Sequence, residues 1–322
     1  MTRHLLVLIH GITTDEQPQV TAQYGRLVQA VKQANLPLSG PICQVHWGFP
    51  APGQGAERPD QYLSLAEAVV GRRLREDRPD GEQQRMPGGS SFDVGIWPLR
   101  QSIEHIRRSV VQLGLSDAIY YTSSEGEQAV RNSVFEQVFS GLGDQVGGGP
   151  VVMHIVAHSL GVTVAHDFLY ALFGRKYDED YPQKGVTPDP HPLHDRNQAR
   201  EEHWRGEAEA GRLKLGTFIS FASQLPLFVL RKQALVKRIA NGERLDPRVI
   251  GVDPTRDSLQ WAILYDADDP LGFRTRALYE STPAIADIRV GSGLGPQSAH
   301  LGYWLQSDIV DRCVAMLKAN IA

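Results

Sequence analysis

Cysteine is scarce in this chain: 322 residues carry only Cys43 and Cys313. Two are too few for a disulfide framework, and neither lies in a His/Cys cluster with zinc spacing. Long apolar runs are missing as well. No segment approaches the ~20 apolar residues that span a bilayer. The run Leu5 to Ile9 behind Arg3 is too short for a signal-peptide core, and no small-residue cleavage site follows it. Charge of one sign is also lacking. A net charge of -4 leaves no basic footprint for nucleic acid and no acidic tail. No G-x-G-x-x-G follows a strand, no Walker A sequence occurs, and no repeat recurs at a fixed period. These absences point to a soluble cytoplasmic protein with no nucleic-acid partner and no integral membrane segment. They leave the oligomeric state open. An apolar share of 41% is ordinary for a globular chain and supplies a sizeable core.

Strand and helix patterns alternate along the whole length. Leu5 to His10 is apolar on consecutive positions, as in a parallel strand buried on both faces. A helix pattern covers Val20 to Ala34, and Pro41 to Trp47 reads as a second strand. Residues 51 to 61 form a loop and Tyr62 to Leu74 a helix. A polar, glycine-rich surface stretch follows over Arg75 to Ser91, then a helix over Val94 to Leu113. Ala118 to Thr122 is a short apolar piece. In Glu125 to Leu142, Val130, Val134, Val138, Phe139 and Leu142 recur at three and four. Val162 to Phe173 is helical, with Gly174 as its stop. Lys214 to Phe221, Ser258 to Tyr265 and Ala286 to Val290 read as strands. Leu225 to Ile239 and Ile309 to Leu317 read as helices, and Ser292 to Gly302 as a flexible loop. Such alternation predicts an α/β fold: a mostly parallel sheet with helices on both faces. One domain over 1–322 is expected. A charged insertion, partly disordered or a short charged helix, is expected at 175–213, and a possible cap or lid segment at 223–257. His191, His194 and His203 fall in the insertion without metal-site spacing and read as solvated, so no metal or organic cofactor is expected.

The chemistry centres on Val151-Val-Met-His-Ile-Val-Ala157-His158-Ser159-Leu160-Gly161. A buried strand, a sharp turn carrying a serine and a helix follow one another, which is the context of a nucleophile elbow. Gly161 has no Cβ to crowd the turn. The Leu160 N–H at the helix start faces any negative charge developing beside Ser159. A serine hydroxyl needs a general base, and the base needs an acid to set its tautomer. In this strand order the expected sequence is serine, acid, histidine. His300 is the only histidine after His203. Asp266, Asp268 and Asp269 all follow a buried strand, where the carboxyl ends of parallel strands present functional groups. Asp266 is also suited to capping the turn. His10-Gly11-Ile12, after the first strand, supplies a second oxyanion donor or is a plain turn that needs Gly11 for positive φ. His154 reads as a packed strand residue with a backbone hydrogen bond, and His158 occupies the variable place of the elbow.

Together these residues resemble the α/β-hydrolase superfamily, and more narrowly its lipase- and esterase-like members. The resemblance rests on Leu5 to Gly11, Ala157 to Gly161, the acid after Trp261 to Tyr265, and His300 before Tyr303-Trp304. It departs from the family at Ala157, where the first elbow glycine is usual. It implies Ser159 as nucleophile, Asp269 as acid, His300 as base, and Ile12 with Leu160 as oxyanion donors. The implied activity is hydrolysis of a small-molecule or lipid-like carboxylic ester through an acyl-enzyme, with thioester and amide substrates open. The alternative is an inactive scaffold of the same fold that binds a ligand or partner. Leu225-Pro-Leu-Phe228 is a candidate wall for an acyl pocket.

Overall fold

Leu5, Val7 and Ile9 face one way and Leu6 and Leu8 the other, because side chains alternate across a strand. Both sets are buried, and they belong to two separate apolar cores. The computed structural model therefore has a sheet covered on both sides. It describes residues 2–11, 17–47, 121, 124–143, 149–178, 195–228, 233–293 and 296–321. Ile12, His191, His194 and all elements read between 51 and 113 lie outside these residues. Of Ala118 to Thr122, only Tyr121 is described; it is helical and buried.

Six described strands, β1 (Arg3–Ile9), β2 (Cys43–Val45), β3 (Val151–His158), β4 (Leu213–Phe221), β5 (Trp261–Tyr265) and β6 (Ile285–Arg289), form one sheet in the order β2-β1-β3-β4-β5-β6. Every pairing is parallel. The order reverses between β1 and β3, where Ile9 lies opposite Ala157. In open parallel sheets the crevice at such a switch point, beyond the carboxyl ends of the strands, is where ligands bind.

One face is covered by α1 (Gln17–Gln33) and α8 (Ser307–Ile321). Tyr24, Leu27 and Val31 from α1 meet Ile309, Cys313 and Leu317 from α8 over Leu6, Leu8 and Val156. The other face carries α2 (Ser124–Leu142), α3 (Leu160–Phe173) and α4 (Asp195–Glu209). Both cysteines are free thiols. No helix of the described residues is long and apolar enough to cross a membrane.

Several local readings need correction. Gly174 does not stop α3; its φ of -64° is helical, and a 3-10 turn continues over Gly174–Lys176. The charged helix expected as one alternative for 175–213 is present as α4, four turns long and followed by the start of β4, with 179–194 outside the described residues. The buried side of α4 is Asn197, Trp204 and Arg205. Arg205 is neutralised by Glu201 and Glu202 and donates to the Ala171 carbonyl. A helix that buries amide and guanidinium groups gives no apolar period. Of the helix read over Leu225 to Ile239, α5 (Leu225–Phe228) and α6 (Gln233–Ala240) are helical as read, and 229–232 lie outside the described residues. Farther along the stretch read as a possible cap, Leu245, Val249, Ile250 and Val252 are buried in the core beside α3. The loop Ser292 to Gly302 contains a short helix, α7 (Pro296–Leu301), and His300 sits on it. His154 bonds side chains rather than backbone: its ring nitrogens lie 3.1 Å from His4 Nδ1 and 3.1 Å from Thr217 Oγ1.

Candidate active site

Ser159 is the single residue between β3 and α3. Its φ of 55° and ψ of -129° place a non-glycine residue in a sparsely populated region, at a cost of about 1–3 kcal/mol. The turn is held from outside: Ser159 N–H donates to the Phe221 carbonyl at 2.9 Å, and the Ser159 carbonyl accepts from Val162 N–H at 3.0 Å. Two glycines let the turn approach β1. A Cβ on Gly161 would lie 2.2 Å from the His10 carbonyl oxygen, and one on Gly11 would lie 2.6 Å from Ser159 Cβ. Gly11 does not have positive φ, so it is needed for space, not for handedness.

Three residues read as site residues come together at the carboxyl ends of β3, β5 and β6. Ser159 Oγ lies 3.0 Å from His300 Nε2. His300 Nδ1 lies 2.9 and 3.1 Å from the two carboxylate oxygens of Asp269. A carboxylate only accepts, so Nδ1 carries the ring proton and Nε2 is free to accept from the serine hydroxyl. The Asp269 side chain is fully buried. It also accepts from Leu271 N–H at 2.9 Å and from the Tyr303 hydroxyl at 3.1 Å. Gly272 makes room for it, since a Cβ there would lie 2.7 Å from Asp269 Oδ2.

The other two aspartates are placed differently. Asp266 accepts from Asp268 N–H at 3.0 Å, from Ser292 N–H at 2.6 Å and from Ser292 Oγ at 2.8 Å. Burial pushes the Asp266 carboxyl up, but the hydrogen bonds together outweigh it and hold its pKa below the ordinary value. Asp266 thus ties the end of β5 to the segment leading into α7. Asp268 is exposed.

Leu160, first in α3, has no acceptor for its N–H within the helix. The second expected donor, Ile12, lies outside the described residues. Just before it, His10 Nδ1–H donates to the Gly11 carbonyl, while His10 Nε2 accepts from Trp47 N–H at 3.2 Å. Burial lowers the His10 pKa to about 3, so the ring is neutral.

Sequence reading missed three groups. Gln224 Nε2 donates to Ser159 Oγ at 3.1 Å. His158 Nε2 donates to the His300 carbonyl at 2.8 Å. Its pKa falls to about 3, through burial first and then the neighbouring His300, so it stays neutral. The Tyr303 hydroxyl accepts from Asp266 N–H at 2.8 Å while it donates to Asp269. Burial and the Asp269 charge hold that phenol far above its ordinary pKa. Two faint signals existed. Gln224 lies just beyond the carboxyl end of β4, and Tyr303 lies three residues after His300. No group of three or more His, Cys, Asp or Glu side chains among the described residues is arranged to hold a metal ion.

Comparisons with protein-family models, with curated proteins and with solved structures found no match.

Proposed function

We propose that this chain is a serine hydrolase of the α/β-hydrolase type that cleaves a carboxylic ester through an acyl-enzyme. The observation that carries the reading is the hydrogen-bond run from Ser159 Oγ through the His300 ring to Asp269. His300 Nε2 takes the hydroxyl proton as Ser159 Oγ bonds to the carbonyl carbon. The carbonyl electron pair moves onto its oxygen, which the Leu160 N–H at the start of α3 receives. Collapse of this intermediate breaks the bond to the leaving oxygen, and His300 protonates the alcohol. Water, deprotonated by His300, then repeats the attack and returns the serine. Asp269 fixes the ring tautomer and stabilises the imidazolium that forms twice in the cycle.

An apolar, lipid-like acyl group is the substrate class favoured. Among the described residues the exposed large apolar side chains are Leu227, Leu301 and Leu305 at 44%, 47% and 50%. Leu301 shares α7 with His300, and Leu227 lies in α5, which Gln224 leads into; exposed apolar groups on these elements suit a hydrocarbon substrate better than a charged one.

Labelling with a fluorophosphonate probe tests the reading. Wild type is expected to label and Ser159→Ala to stay unlabelled. Equal labelling of the two would overturn the hydrolase assignment and leave the fold serving as a binding scaffold.

A further inference from the structure

Gln224 is placed by backbone that is pinned on several sides. The chain leaves β4 through Ala222, a non-glycine residue with φ of 49°. Its N–H donates to the Leu264 carbonyl. The Ser223 carbonyl accepts from Phe273 N–H at 2.9 Å, and the Ser223 hydroxyl accepts from Thr275 Oγ1 at 2.9 Å. The Gln224 carbonyl accepts from Leu227 and Phe228 N–H in α5. The residue is 5% exposed, and its carboxamide crosses to Ser159 Oγ, 65 positions away in sequence.

The direction of this bond follows from the neighbouring proton. A hydroxyl has one donor and two acceptor sites. Asp269 keeps the His300 proton on Nδ1, so the Ser159 proton points at Nε2. Ser159 Oγ can then only accept from Gln224, which fixes the amide with its nitrogen towards the serine. One lone pair of Oγ takes that bond, and the second is left for a carbonyl carbon.

Resting on the hydrolase reading, we propose that Gln224 is a further catalytic residue that stabilises negative charge on Ser159 Oγ. As the hydroxyl proton passes to His300, charge rises on an oxygen that already receives an oriented N–H in a water-poor site. A preorganised donor there is worth far more than in water. The same bond acts in reverse during deacylation, when Oγ departs from the tetrahedral carbon with its electron pair until His300 returns the proton. Gln224 transfers no proton and forms no covalent bond.

The test compares wild type with Gln224→Met, which keeps length without a donor, and Gln224→Glu, which puts an acceptor in its place. The readouts are kcat and KM on a soluble aryl ester, the rate of fluorophosphonate labelling, and Tm. For Gln224→Met we expect kcat and the labelling rate to fall together by about 10²-fold, with KM and Tm near wild type. Gln224→Glu should be slower still, because a carboxylate repels charge on Oγ. A methionine variant with wild-type kcat and labelling rate overturns the proposal, as does a loss that appears in KM alone. If the methionine variant melts early, Gln224→Leu is read by the same criteria. A wild type that does not label at Ser159 takes down the hydrolase reading and this proposal together. A wild type that labels no faster than Gln224→Met takes down only this one.

Discussion

His158 Nε2 donates to the carbonyl oxygen of His300 at 2.8 Å. The residue just before the proposed nucleophile thus holds the backbone that carries the proposed base. Both ends of the bond are local to the site: the two rings lie 5.1 Å apart between centroids. In His158→Leu the carbonyl loses its donor and α7 loses one tie to β3. We expect about 1–3 kcal/mol lower stability. We also expect about tenfold to a hundredfold lower kcat, since a shift near 1 Å in a reacting group is enough for that. Thermal melts and ester kinetics measure the two effects, and an unchanged kcat would remove the positioning role.

The three aspartates separate by what they touch. Asp269→Asn removes the acceptor that sets the His300 tautomer, and kcat should fall about 10⁴-fold. Asp266→Asn should leave most of the activity and lower stability by about 1–3 kcal/mol, because it weakens the bonds to Ser292 and Asp268. Asp268→Ala, on the surface, should change stability by less than about 0.5 kcal/mol. Parallel kinetics and melts on the three variants decide the matter; a large activity loss confined to Asp266 would reassign the acid.

Gly161→Ala tests the close approach of the serine turn to β1. Its Cβ would meet backbone, the His10 carbonyl at 2.2 Å, with no flexible side chain to yield. Overpacking of this kind costs about 1–3 kcal/mol and occasionally more, and the upper end is expected. Urea denaturation reads it. A midpoint equal to wild type would mean that the turn is not as tightly held as described.

Acid should unfold this protein through its buried histidines. Burial lowers His10, His154 and His158 to about 3, against about 6.5 in an unfolded chain. Between those values the unfolded chain binds protons that the folded one does not. Stability is therefore complete above pH ~6.5 and is lost as pH falls towards ~3, by up to about 1.4 kcal/mol per pH unit for each histidine. Urea midpoints taken from neutral pH down to pH ~5 should fall steadily. Midpoints flat across that range would contradict the description of these three rings as buried and neutral.

The legible parts of the sequence were those where one segment carries its own pattern. β1 and β3 announce themselves because a strand buried on both faces must be mostly apolar at consecutive positions. α2 does so through apolar residues at three and four. α4 was legible only as one alternative, a short charged helix, because its buried face satisfies polar groups, Asn197 and Arg205, instead of repeating apolar ones. α7 was hidden because six residues are too few for a period to show. The site divides in the same way. The turn around Ser159 is local and readable. The residues alone left Asp266, Asp268 and Asp269 open and only the resemblance pointed to Asp269, because which of them reaches His300 depends on how β5 ends relative to α7.

By itself, then, the sequence determined the alternation of strands and helices, the sharp serine turn and the order of serine, acid and histidine. Local sterics and hydrophobic periodicity act between near neighbours, so those features need no partner to be recognised. Only the tertiary structure decided that Asp269 is the aspartate beneath His300, that His158 anchors the His300 carbonyl and that Gln224 reaches Ser159. These contacts join residues 31, 142 and 65 positions apart. Sheet order and the packing of both helical layers bring them within hydrogen-bond reach, and no local rule of sequence encodes such distances.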